Sequence, residues 1–203
     1  MQHSIPLLRE EVNDMADEIP IINNPTAKVQ PMAYSKRENE HHVLVITNDS
    51  TVFLTKKWVS AFEMFGGRIT EVEKLVCDIE DICYVSFGII SGRFGFIPAD
   101  YVVMPYDNVP SCKEEYEEAQ ERTDYAGKIR QMMSPIFDKV VVCVPKDMFA
   151  IIKDSLPDNR VIAVTNEIYK EECERRGWTY LPRVGARVGN ENRDKILEII
   201  RNL

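Results

Sequence analysis

The sequence predicts a three-layer α/β fold, a mainly parallel sheet of about four or five strands with helices on both faces. Three features carry that expectation. Short continuous apolar runs at Val43-Leu44-Val45-Ile46, Val140-Val141-Val142-Cys143-Val144 and 161–164 read as strands buried on both faces. Segments of helical length, with apolar residues at three-to-four spacing, separate them. This alternation implies crossover connections, the kind that parallel neighbours need. The 203 residues, 44% apolar and 29% charged, suffice for one full hydrophobic core.

At the start of the chain, Ile5, Leu8, Val12, Met15, Ala16 and Ile19 recur at helical spacing, and Pro20, Pro25 and Pro31 then interrupt regular structure. Residues 1–40 therefore read as an N-terminal helix and a Pro-rich arm, ahead of a single α/β domain over 41–203. The first strand ends at Thr47-Asn48-Asp49-Ser50, a turn or helix cap. Phe53, Leu54, Trp58, Ala61, Phe62 and Phe65 suggest a helix stopped by Gly66-Gly67, and a second helix follows over 70–77 with Glu71, Glu73 and Lys74 outward. Residues 82–90 are strand-like. After Pro110, 111–133 reads as one long helix, capped by Ser111 and with Glu114 and Glu115 in its opening turn, where the helix dipole favours acids. Pro145 closes the strand at 140–144, and helix (147–156), strand (161–164), helix (166–176), strand (178–181) and a closing helix (192–203) follow.

Composition excludes several function classes. Lys and Arg total 25 against 33 Asp and Glu, and a net charge of −8 argues against general duplex-DNA binding and disfavours RNA. No apolar run approaches the roughly 18 residues of a membrane span, and no charged-then-apolar leader opens the chain. A cytoplasmic protein without membrane attachment is expected. The five cysteines, Cys77, Cys83, Cys112, Cys143 and Cys173, show no two-residue spacing, so no metal site is expected. Cys112, at a helix entry that can lower a thiol pKa, is the best of a weak set of nucleophiles. No histidine follows His42, which disfavours Cys-His and Ser-His-acid catalysis.

In such sheets ligands bind beyond the carboxyl ends of the strands, which directs attention to 47–50, 86–107, 145–147, 165–166 and 182–190. The second of these segments carries Ser86, Gly88, Ser91, Gly92, Arg93 and Gly95, then Pro105-Tyr106-Asp107. Glycines near a strand end let backbone N–H groups approach a ligand, and Ser91 and Arg93 suit an anion or a polar base edge. Asp107, held by a Pro-containing turn, pairs with Arg93 as general base and anion clamp, the two candidate catalytic residues; Tyr106 could stack on a base. The competing structural reading has Arg93 and Asp107 locking the loop to the sheet edge and Tyr106 packed on the core.

Ile90-Ser91-Gly92-Arg93-Phe94-Gly95-Phe96-Ile97-Pro98, followed by Val103-Met104-Pro105-Tyr106-Asp107, resembles the SAKYG(L/F)(I/L)…P…PYD signature of an uncharacterised prokaryotic α/β family. Gly92 stands for the usual Ala and Arg93 for the usual Lys. Such chains often place a Lys-containing loop after the first strand, where this one has Thr47-Asn48-Asp49-Ser50. Some members are thought to be related to nucleobase-modifying enzymes, the archaeosine synthase similar to archaeal tRNA-guanine transglycosylase among them. The resemblance therefore implies a nucleotide-like or nucleobase-type ligand.

The stretch from Pro182 to Arg193 adds Arg183, Arg187, Gly189 and Asn190 as ligand-binding candidates, since a Gly-rich loop entering a helix offers N–H groups to phosphate. It lacks the Lys-Ser/Thr of a Walker loop and the dinucleotide spacing, so no cofactor is named. The plainer alternative is that Gly185 and Gly189 make turns and Asn190 caps the last helix. The acidic face Glu114, Glu117, Glu118 and Glu121 reads as solvated. Two functions remain open: binding of, or action on, a nucleotide-type small molecule, and a non-catalytic interaction protein whose N-terminal arm mediates self-association as a homo-oligomer or partner binding.

Overall fold

The structure, a computed structural model, describes residues 41–133 and 136–203. The expected helix at 5–19 and the Pro-rich arm lie outside the described residues. The strands are β1 (His42–Asn48), β2 (Val59–Ser60), β3 (Tyr84–Ser91), β4 (Gly95–Pro98), β5 (Val102–Val103), β6 (Lys139–Cys143), β7 (Val161–Thr165) and β8 (Thr179–Pro182). The α-helices are α1 (Ala61–Met64), α2 (Ile69–Glu80), α3 (Lys113–Thr123), α4 (Tyr125–Met132), α5 (Lys146–Ile152), α6 (Lys170–Arg175) and α7 (Asn190–Arg201).

The main sheet has six strands in the order β4-β3-β1-β6-β7-β8. Strands β3, β1, β6, β7 and β8 run parallel, and β4 adds an antiparallel edge. Alternate residues of β1 feed opposite layers, as the two-residue period of a strand requires. Val43 and Val45 pack with α2 and α7, whereas Leu44 and Ile46 pack with α3, α4 and α5. All seven residues of β1 are buried, which explains its uninterrupted apolar run.

The winding reverses at β1. The chain leaves β1 for β3 on one side, then crosses back over it to β6 on the other. The loops after β1 and β6 consequently diverge to opposite faces, which marks the crevice position beyond their carboxyl ends, where sheets of this kind bind ligands. This placement singles out 47–50 and 143–145 before any side chain is considered.

Three elements differ from expectation. Residues 111–133 form two helices, because Asp124 adopts a left-handed conformation (φ 47°) that ends α3, while its side chain caps α4 by accepting from Gly127 N at 3.1 Å. The cap of α3 is Cys112; Ser111 binds Glu115 instead. Residues 53–65 are helical only at α1, since Phe53 pairs with Phe65 in an antiparallel bridge and their rings pack at 5.7 Å. Finally, residues 95–98, expected within a loop, form β4: Gly95, at φ 78°, makes the hairpin turn that lets Phe96 and Ile97 pair with β3.

Asp124 supplies both a tolerated left-handed residue and a cap, so Asp124→Ala should lower the unfolding free energy by about 1–2 kcal/mol. Asp124→Gly, which relieves the backbone, should cost less than about 0.5 kcal/mol by the same reasoning. Urea denaturation of the two variants tests this ordering.

Candidate functional site

The floor of the crevice is a buried arginine. Arg187, from the loop between β8 and α7, donates through Nη1 to Thr47 Oγ1 (3.0 Å) and to the Asn48 carbonyl, and through Nη2 to the Asp49 carbonyl at 2.7 Å. Thr47 in turn donates to the Cys143 carbonyl at 2.9 Å, so one guanidinium ties the ends of β1 and β6 together. Carbonyls at the end of a parallel strand have no ladder partner, and a forked donor satisfies several at once. Glu71 of α2 positions the loop, accepting from the amides of Arg187 (2.9 Å) and Val188 (3.2 Å). Burial draws the Arg187 guanidinium down to about 10, and the neighbouring Arg183 adds to this, yet it stays cationic at neutral pH.

Asp49, next along β1, organises the other side. Its Oδ2 accepts from Gly92 N at 2.7 Å and from the Tyr106 hydroxyl. The Tyr106 proton is thereby committed, so Ser91 Oγ, 2.8 Å away, donates to Tyr106. Ser91 Oγ also accepts from the amides of Arg93 and Phe94 (each 3.2 Å), closing the hairpin turn. A Cβ on Gly92 would fall 2.1 Å from Pro110 Cδ, which accounts for glycine there. Burial pushes the Asp49 carboxyl up to about 6, while Tyr106, Gly92 and the Arg187 charge oppose the shift.

Several buried polar atoms at this edge have no hydrogen-bond partner among the described residues: Asn48 Oδ1, Asp49 Oδ1, Thr165 Oγ1 and Arg183 Nη1. Asn48 is pinned by its own Nδ2, which donates to the Asp49 carbonyl at 3.1 Å, so the unpartnered atom is its acceptor. Arg183 follows β8, its amide bonded to the Thr165 carbonyl at 2.9 Å. Its guanidinium is lowered by burial and feels Cys143, Tyr116, Glu71 and Arg68. Tyr116, on α3, has its phenol raised by burial and by Asp49 and Asp147, while Arg183 and Arg187 oppose the shift, so it belongs to the same electrostatic neighbourhood. A buried guanidinium nitrogen without a partner costs stability, and such costs concentrate where a ligand supplies the missing partner.

The candidates read from sequence divide among several places. Arg183 and Arg187 come together at the crevice, and Ser91, Gly92 and Tyr106 form the supporting network around Asp49. The Tyr106 ring is enclosed by Phe53, Phe65 and Phe94. Ser86 lies inside the sheet, 2.8 Å from His42 Nε2, and Gly88 lies under the Phe96 ring, where a Cβ would sit 2.4 Å from it. Gly95 serves the hairpin. Gly189 and Asn190 line a separate groove of about 740 Å³ between α2 and α7, together with Glu73, whose carboxyl burial raises to about 7. The cap of α7 is Gly189 rather than Asn190, while Asn192 donates to the carbonyls of Pro182 and Val188.

Arg93 and Asp107 are both exposed. Arg93 rests 5.8 Å from the Phe94 ring centroid, and Asp107 borders a cleft of about 450 Å³ with Thr51 and Asn108. Among the described residues no ion pair joins them, so the contact that would lock the loop to the sheet edge is not formed. Cys112 is exposed, and its thiol is raised: the Glu115 amide lowers it, but desolvation and the adjacent Glu114 and Glu115 outweigh that effect. Sequence reasoning directed attention to 47–50 and 165–166 as segments without singling out Asn48, Asp49 or Thr165, and it passed over Tyr116. Position at a strand end was the available signal for Asn48, Asp49 and Thr165.

The two arginines should respond oppositely to replacement. Arg187→Met removes a donor from three buried oxygens and should lower the unfolding free energy by about 3–5 kcal/mol. Arg183→Met removes an unpaired buried charge and should leave stability unchanged or raise it by about 1 kcal/mol, as functional residues often do. Guanidinium-chloride denaturation without ligand distinguishes them. Asp49 has a second signature: its folded-state pKa, about 6, exceeds the unfolded value of 3.8. Its contribution is full below about pH 4 and lost as pH rises through about 6, on the order of 2–3 kcal/mol. The stability difference between wild type and Asp49→Asn, followed from pH 4 to 7.5, should decline across that window.

A scan against protein-family models and searches of curated proteins and of solved structures each found no match to this chain.

Proposed function

We propose that this protein binds a small molecule of the nucleotide class in the crevice beyond β1 and β6. The observation that carries the reading is the presence of Arg183 Nη1, Asn48 Oδ1 and Thr165 Oγ1, all buried and unpartnered among the described residues, at the carboxyl edge of the sheet. A cation, an acceptor and a hydroxyl suit a ligand that combines an anionic group with N–H or O–H donors, as a nucleotide does. The crevice position and the resemblance of residues 90–107 to a family linked to nucleobase chemistry support the same class. Arg187 serves as the rigid floor, and Asp49, Tyr106 and Ser91 hold the hairpin that forms one wall.

A second reading, as an interaction protein, draws on the exposed apolar side chains Val52, Leu54, Trp58 and Met104. Val52 and Leu54 flank Gly66, and Trp58 and Met104 continue the β2–β5 register by one residue. Exposed apolar side chains, where they form one patch, mark association sites.

A thermal-shift screen of the full chain against nucleosides, nucleotides and free bases separates the two. A nucleotide at about a hundredfold above its Kd should raise the midpoint by several degrees. Arg183→Met should abolish that rise while the protein remains folded. Silence across the panel, with sedimentation showing self-association that Trp58→Glu removes, would favour the interaction reading.

A further inference from the structure

The cationic groups at the crevice are not spread evenly. Although the chain carries a net charge of −8, three arginines converge on the loop between β8 and α7. Arg183 and Arg187 belong to it, and Arg68, at the start of α2, donates through Nη1 to the Gly185 carbonyl at 2.9 Å. Their environments differ in a way that matters for ligand chemistry. Arg187 is saturated by Thr47, Asn48 and Asp49 and acts as a fixed field. Arg183 has a buried, unpartnered nitrogen, and Arg68 is exposed with one nitrogen tethered. The Glu71 carboxylate faces this group, but its Oε2 is occupied by the amides of Arg187 and Val188. A preorganised cluster of guanidiniums with forked donors still free fits several adjacent phosphoryl oxygens better than one carboxylate or an uncharged base.

We infer that the crevice recognises a polyphosphate group, a diphosphate or longer chain, with Arg183 as its inner contact and Arg68 as its outer one. This rests on the proposed nucleotide reading and names the part of the ligand that dominates affinity. The Thr165 hydroxyl adds a neutral donor beside Arg183, and Asn48 Oδ1, which repels phosphate oxygens, faces the ligand's sugar or base instead. The Gly185 turn, with φ of 71° and open space around its α-carbon, lets Arg68 and Arg183 approach a ligand from two sides of the loop.

Isothermal titration of the full chain with orthophosphate, pyrophosphate, tripolyphosphate and a nucleoside, at matched ionic strength, tests the inference. Pyrophosphate and tripolyphosphate should bind at least tenfold more tightly than orthophosphate and displace a bound nucleotide. Arg183→Ala should weaken pyrophosphate at least tenfold, and Arg68→Ala, on the surface, should weaken it severalfold with the fold intact. Sulfate at the same concentration should not compete. Nucleoside binding without any binding of pyrophosphate or tripolyphosphate, or pyrophosphate binding that Arg183→Ala leaves unchanged, would overturn the polyphosphate inference and leave the nucleotide-class reading in place. Absence of binding by every probe would overturn both.

Discussion

A single guanidinium holds the working end of this sheet together. Parallel strands end in carbonyls that nothing in the ladder can satisfy, and the winding reverses at this point of the sheet. Arg187 closes that gap by bonding Thr47, Asn48 and Asp49, and through Thr47 it reaches the Cys143 carbonyl at the end of β6. A buried charge is tolerable only when its donors are met, and here the met donors also fix the position of the loop that carries Arg183. The stability of the crevice and the readiness of its free cation are thus two results of one arrangement.

Asp49 extends the arrangement to the opposite side. Its backbone carbonyl receives Arg187, while its side chain gathers Gly92 and Tyr106, so a residue next to the strand end links the last loop to the β3–β4 hairpin. Tyr106, with its ring among three phenylalanines and its hydroxyl on a carboxylate, converts apolar packing into polar register. Such networks specify a unique geometry when every member is satisfied. Within this one the exception is Asp49 Oδ1, which is buried without a partner and accords with a carboxyl lifted to about 6.

Much of the fold was legible in the residues because its strongest signals are local. The runs 43–46, 140–144 and 161–164 could hardly be anything but doubly buried strands, and the amphipathic spacing of α2 and α7 followed from their periodicity. What escaped detection depends on tertiary context. Asp124 reads as one more polar residue in a helical stretch until its left-handed backbone breaks α3 from α4. Residues 95–98 read as loop because their pairing partner is β3 itself. At the site, Arg183 and Arg187 were visible as a cationic loop, but which of them is saturated and which is free depends on contacts more than one hundred residues apart. Arg93 and Asp107 drew attention by motif and are exposed without an ion pair between them, whereas the Asp49 between a strand and a turn was inconspicuous in sequence.

The division of labour between the two arginines is the central claim, and it has a direct spectroscopic readout. Nuclear magnetic resonance of the full chain with labelled arginine side chains, recorded with and without pyrophosphate, follows both guanidiniums separately. Arg187 should show slowly exchanging Nε and Nη protons before ligand is added and little change after it. Arg183 should shift and gain exchange protection only on binding. Equal responses from both arginines, or rapid exchange at Arg187 in the free protein, would contradict the account.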